Sequence, residues 1–215
     1  MALRPPGSHD PGQNPRLALA LQRAKDGGVP KANVELAFER ARKALDGTGQ
    51  AIVYEAMGPG GRTAFMIECL TDSPARTVSR VKETLHKNGG RVASVNFLFE
   101  RKGLLRVQPL PGATFDALFE AAVDGGAEDV REAEGEDEEP VWEVLTAPTE
   151  LGALTDLLTT APHDASYALV SSELAFLPLE AIPVDEADEH FEAAARIAEL
   201  LEDEADVVKV WTNLE

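Results

Sequence analysis

The side chains that could do covalent or metal chemistry are few and scattered. Four histidines occur, His9, His86, His163 and His190. No two stand at the i, i+4 spacing of a helical metal pair and none follows a cysteine, so no metal ligand set is spelled out. The one cysteine, Cys69, sits in an alternating apolar run and reads as core rather than nucleophile. A lone cysteine also rules out an intramolecular disulfide. Gly58-Pro59-Gly60-Gly61-Arg62-Thr63 lacks the lysine and spacing of a phosphate loop, and no Gly-x-Ser-x-Gly elbow is present. The acidic run 132–139 resembles a catalytic cluster only in composition. Acid/base work needs carboxylates in contrasting environments, and a solvated loop gives them all the same one. No residue is singled out as catalytic, and no metal or cofactor is expected.

What the spacing does offer is phosphate contact. Arg76, Arg80 and Lys87 fall on one stripe of a helix, with Glu83 among them, opposite Val78, Val81 and Leu85. An ordinary solvated face has the same pattern. A preceding helical hairpin adds Arg16, Arg23, Lys25, Lys31, Arg40, Arg42 and Lys43, and Arg62 and Arg91 complete a candidate RNA-binding set. Contacts of this kind position a protein on nucleic acid without reading its sequence. Aromatic side chains for base stacking are sparse nearby, with Phe38, Tyr54 and Phe65 the few available. The second distinctive spot is Met57-Gly58-Pro59-Gly60-Gly61. It is either a loose hairpin turn or a slender probe able to enter an RNA-lined space that bulkier residues could not.

Charge separates the two halves of the 215-residue chain. The formal total is −18, which alone argues against a nucleic-acid partner. Residues 1–108 carry 17 Lys/Arg against 10 Asp/Glu, a net of +7, and residues 109–215 carry 3 against 28, a net of −25. Such a split marks the first half as the one suited to an anionic partner. No apolar run approaches the roughly 20 residues of a membrane helix, and no secretory or transit-type segment opens the sequence.

These residues need elements to hold them. Residues 1–13 are rich in Pro and Gly and are expected to be disordered. Asn14-Pro15 opens a first helix, Pro30 a second, and residues 14–49 form a helical hairpin domain. Strands are expected at 51–57 and 62–70 around the glycine tip, then a helix from Ser73-Pro74. A half-buried strand at 95–101 is expected to turn at Lys102-Gly103 into another at 104–108. A helix at 114–124 with Phe115, Leu118, Phe119 and Ala122 inward follows, then a strand near 129–131, the acidic loop, a strand at 141–146, a helix at 149–160 and a strand at 166–176. That order, β-α-β-β-α-β, is the ferredoxin-like unit. A last helix at about 186–203 and a strand at 206–212 are surplus to it. The α+β fold expected is therefore a discontinuous domain, 50–102 and 180–215, with a ferredoxin-like domain, 103–179, inserted.

Ordered segments then show a family resemblance. They are Asn14-Pro15-Arg16-Leu17, Gly28-Val29-Pro30-Lys31-Ala32-Asn33, Tyr54 to Gly61, Ile67 to Asp72, Ala75-Arg76-Thr77, Asn88-Gly89-Gly90, Phe97 to Gly103 and Gly126 to Val130. Together they resemble the YebC family, which includes mitochondrial translational activators. The resemblance implies a helical domain, then an α+β domain with a ferredoxin-like insertion. It implies a non-enzymatic, ribosome-associated factor contacting ribosomal RNA, with messenger RNA or the nascent chain as further partners. Its mitochondrial branch implies a matrix protein supporting synthesis of organelle-encoded respiratory subunits, and a cytoplasmic location is the alternative. The basic opening segment and first helix usual in the family are not in this sequence, so the hairpin is read as an incomplete helical domain.

Two other functions stay open. One is a DNA-binding transcriptional regulator, the older description of the family, although no base-reading recognition helix is evident. The other is a protein-interaction module built on the acidic domain. Oligomeric state is not legible in the sequence.

Overall fold

The computed structural model describes residues 15–45, 49–135, 139–183 and 188–215. The expectation for residues 1–13 falls outside them. The chain divides into two compact units, one of residues 1–97 with 180–215, the other of residues 98–179.

The first unit begins with helices α1 (Pro15–Asp26) and α2 (Lys31–Leu45), joined at Gly28, whose φ is +68°. An open apolar groove is lined by Leu17, Leu21 and Ala24 of α1 and Val34, Phe38 and Ala41 of α2. Strands β1 (Gln50–Met57) and β2 (Ala64–Thr71) pair antiparallel with Gln50 opposite Thr71 and Met57 opposite Ala64. Helix α3 (Pro74–Lys87) and the short β3 (Arg91–Val92) follow. Late in the chain come α6 (Glu189–Glu202) and β8 (Val207–Thr212), which complete the sheet in the order β3-β1-β2-β8. Its core joins Phe65 and Ile67 of β2 to Val81 and Leu85 of α3 and Ile197 and Leu201 of α6. All six are 1% exposed or less, and burying each contributes roughly 1.5–3 kcal/mol.

The second unit runs β4 (Phe99–Pro109), α4 (Phe115–Asp124), β5 (Ala127–Glu134), β6 (Pro140–Thr146), α5 (Leu151–Thr159) and β7 (Tyr167–Pro178). The sheet order is β5-β6-β4-β7 with every neighbour antiparallel. That is the ferredoxin-like arrangement the element order implied. Its core forms on the helix side, from Leu105, Val107, Trp142 and Val144 against Leu118, Leu154 and Leu158.

The structure corrects several sequence expectations. The strand expected at 95–101 begins only at Phe99, where β4 starts: Asn96–Leu98 is a 3-10 turn and Phe97 is 69% exposed. The cause is Glu55, whose Oε2 accepts from Val95 N at 2.7 Å, Asn96 N at 2.8 Å and Ser94 Oγ at 3.2 Å, drawing this backbone away from strand pairing. No turn occurs at Lys102-Gly103, because β4 runs straight through it, and the boundary between units falls at 97/98. Gly103 serves close approach instead: a Cβ there would lie 2.8 Å from Thr146 Cγ2 and 2.9 Å from Leu151 Cβ. Phe119, expected inside, is 47% exposed, because the buried stripe of α4 runs through Leu118 and Ala122 and Phe119 falls beside it. The front of the acidic run is strand, not loop, since β5 extends to Glu134. On α3 the buried position near the start is Thr77, and Val78 is only half-buried.

Candidate nucleic-acid interface

Three of the arginines singled out by sequence converge on one turn of the protein itself. The turn from α6 to β8, residues 202–206, carries Glu202, Asp203, Glu204 and Asp206. Arg76 Nη2 reaches Asp206 Oδ2 at 2.9 Å and Asp72 Oδ1 at 2.6 Å. Thr77 Oγ1 donates to the same Asp206 Oδ2 at 2.8 Å, and the Thr71 and Thr77 hydroxyls meet at 2.7 Å. These bonds to Asp206, followed by those to Asp72, hold the Arg76 guanidinium above its ordinary pKa. Arg80 Nη1 pairs with Glu204 Oε2 at 3.3 Å.

Arg40, from α2, meets the same turn through the backbone. It donates to the carbonyls of Glu202 at 3.1 Å, Glu204 at 2.9 Å and Ala205 at 3.4 Å. Glu202 is the last residue of α6, where a helix leaves acceptors open and favours a cation, and Glu204 and Ala205 follow it in the turn. Burial lowers the Arg40 pKa, and the surrounding acids oppose that shift. Arg40, Arg76 and Arg80 are therefore engaged by carboxylates and carbonyls of their own unit.

The remaining candidates are dispersed. Lys31 forms an exposed i, i+4 pair with Glu35 at 3.5 Å and Lys87 one with Glu83 at 2.7 Å; such surface pairs contribute little and yield readily to a competing anion. Lys25 and Arg91 are exposed and without a partner among the described residues. The side chains of Arg16, Arg23, Arg42 and Lys43 lie outside the described residues. Two cations that sequence reasoning passed over, Lys82 and Arg196, are also exposed and unpartnered. Lys82 lies off the stripe that drew attention to α3, and Arg196 stands alone on an acidic helix.

The glycine tip is a packed turn. Gly58 and Pro59 are buried, Met57 is half-buried, and only Gly60 and Gly61 are exposed. Gly58 N donates to Thr63 O at 2.8 Å, and Gly61 N to Gly58 O at 3.2 Å. The His190 ring, at the start of α6, closes over Gly60. Beside it, Arg62 stacks over Phe191 at 5.0 Å and pairs with Asp188 at 3.4 Å. The exposed part of the expected probe is thus two residues of backbone, at φ +70° and +73°.

The second unit leaves no cation open. Arg101 stacks over Phe176 at 5.3 Å, Lys102 pairs with Glu100 and Glu128, and Arg106 and Arg131 both grip Glu143 at 2.7 Å. Among the described residues no group of three or more His, Cys, Asp or Glu is placed to hold a metal ion, and no helix is long and apolar enough to cross a membrane. Cys69 is 3% exposed, and burial, aided by the Asp206 carboxylate, pushes its thiol up to about 12.

A discontinuous α+β unit and a ferredoxin-like unit inserted in its chain, with a basic helical hairpin at the start of the first, define the architectural class. Residues 49–214 match the family described as TACO1/YebC second and third domain. The chain belongs to the TACO1/YebC family. It is 40% identical over 212 residues to a probable transcriptional regulatory protein of Thermobifida fusca, spanning 96% of this chain and 80% of that one. It is 37% identical over 217 residues to a probable transcriptional regulatory protein of Mycobacterium tuberculosis, covering 97% and 80%. A solved structure of a conserved hypothetical protein from Aquifex aeolicus superposes with a TM-score of 0.65 at 31% identity, covering 96% of this chain and 82% of that one.

Proposed function

We propose that this protein is a non-enzymatic translation factor that contacts ribosomal RNA through its first unit. The observation that supports this reading best is where unpartnered cations remain. Lys25, Lys82, Arg91 and Arg196 all stand on the first unit, whereas the four cations of the second are engaged internally. Free Lys and Arg on one unit can replace counterions along an RNA backbone, and an acidic second unit is repelled from it. Orientation then follows from charge alone. Messenger RNA or a nascent chain would be what the docked factor attends. The compartment is that of the ribosome served: the mitochondrial matrix by the resemblance of the sequence, the cytoplasm by analogy with the bacterial relatives.

Co-sedimentation with ribosomes across a salt series tests the proposal. Association should fall steeply with salt, and the variant Lys25→Glu/Lys82→Glu/Arg91→Glu should lose it. Undiminished, salt-independent association of that variant would sink the reading. Arg76 is a poor choice for this experiment, because its loss strips Asp206 of a partner within the fold.

The relatives' names favour a second reading, a DNA-binding transcriptional regulator. Tighter binding to duplex DNA than to ribosomes at equal salt, abolished by the same triple variant, would support it over the first.

A further inference from the structure

We propose that the outer flank of α4, with edge strand β5 beside it, is a docking surface for a basic amphipathic segment of another protein. Phe119 and Val123 stand one helical turn apart on α4, 47% and 48% exposed. Both fall beside the buried Leu118 and Ala122 stripe of α4. Leu157 of α5 packs instead near the end of α4, where a Cβ on Gly125 would lie 2.6 Å from its Cδ2. Asp116, Glu120 and Asp124 border the apolar pair, and none has an ion-pair partner among the described residues. Neither α4 nor α5 contains a Lys or Arg. Strand β5 ends its sheet, bonded to β6 alone among the described residues, and presents exposed Asp129, Glu132 and Glu134, with Glu128 paired to Lys102.

Charge fixes the occupant. Residues 98–179 hold 4 Lys/Arg against 17 Asp/Glu, a net of −13. Phosphate-bearing partners are repelled from such a field, and a second copy of this acidic unit is repelled as well. A segment with Lys or Arg around one or two apolar side chains satisfies both features: the side chains cover Phe119 and Val123 while the cations meet the three carboxylates. The inference is independent of whether the first unit binds RNA or DNA.

The test measures fluorescence anisotropy of a labelled Lys/Leu amphipathic peptide, and of its Glu/Leu counterpart, with the full chain. The basic peptide should bind and the acidic one should not. Phe119→Ser leaves net charge unchanged and should weaken binding roughly tenfold, the scale of a lost interface anchor. Glu120→Lys/Asp124→Lys should weaken it at least as much, and Leu157→Ser should leave it unchanged. Since Phe119 is exposed, circular dichroism should show the variants folded. Equal binding by Phe119→Ser would reduce the effect to unspecific attraction and overturn the proposal. A concentration-dependent dimer that Phe119→Ser abolishes would assign the surface to self-association and overturn it too.

Discussion

Arg76 Nη2 and Asp206 Oδ2 lie 2.9 Å apart, joining the first turn of α3 to the residue just before β8, 130 positions later in the chain. Asp206 is 5% exposed and shares its carboxylate with Thr77, which in turn meets Thr71 at the end of β2. The start of α3, the end of β2 and the turn before β8 are thus linked through one carboxylate and one hydroxyl. Asp206→Ala should destabilise this unit by about 1–3 kcal/mol, the cost of leaving the buried Thr77 hydroxyl without this acceptor. Arg76→Ala should lower stability by less, because its guanidinium is well exposed and Thr77 still holds Asp206. Urea denaturation of the two variants checks the order.

Arg40 predicts a different behaviour, since it ties the hairpin to the body rather than the body to itself. Its three carbonyl acceptors all lie within 202–205. Arg40→Ala should free α2 with little effect on the sheet. Hydrogen exchange should quicken roughly tenfold or more across Lys31–Leu45, as expected for losing a charged donor. Amides of Ala64–Thr71 should exchange as before.

Gly60 and Gly61 separate strain from clash. Both have φ near +70°, so alanine at either position costs roughly 1 kcal/mol of backbone strain. Among the described residues nothing would lie within 4 Å of a Cβ on Gly61, whereas one on Gly60 would lie 2.9 Å from His190 Cδ2. Gly60→Ala should therefore be the more destabilising. His190→Ala should recover the difference for Gly60→Ala and do nothing for Gly61→Ala. Thermal unfolding of the single and double variants reads this directly.

Much of the fold was legible because its periodicities are clean. Phe191, Ala194, Ile197 and Leu201 gave the buried face of α6, and all four are buried. The β-α-β-β-α-β order gave the ferredoxin-like sheet. Glycines were misread when they served packing instead of turning. Gly103 looks like a turn after Lys102, yet its missing Cβ admits Leu151 in mid-strand. Position 97 failed for a related reason: Val95, Phe97 and Phe99 alternate like a strand, but a single distant carboxylate, Glu55, captures the backbone between them. At the candidate interface, composition identified the basic half and could not tell spent cations from free ones. Arg76 and Arg80 scored on spacing, and only the fold brings the 204–206 turn against them. Lys82, on the less regular side of the same helix, is the one left open.

Acid sensitivity of the second unit should centre on Glu143. Its side chain is 5% exposed, and its two oxygens take a guanidinium each, Arg106 Nη2 and Arg131 Nη2, both at 2.7 Å. Burial alone would raise its pKa, but the hydrogen bonds and charge of Arg106 and Arg131 outweigh it and hold the carboxyl below the usual range. A depressed carboxylate stabilises the fold above its unfolded pKa, about 4.3, and that contribution drains away as pH falls through the lower folded value. Glu143→Gln should remove this part of the acid limb. It should also lower stability at neutral pH by about 1–3 kcal/mol, held to that range because both arginines keep substantial access to water. Stability curves for parent and variant from pH 7 downward should converge on acidification; curves that stay parallel would take Glu143 out of the acid response.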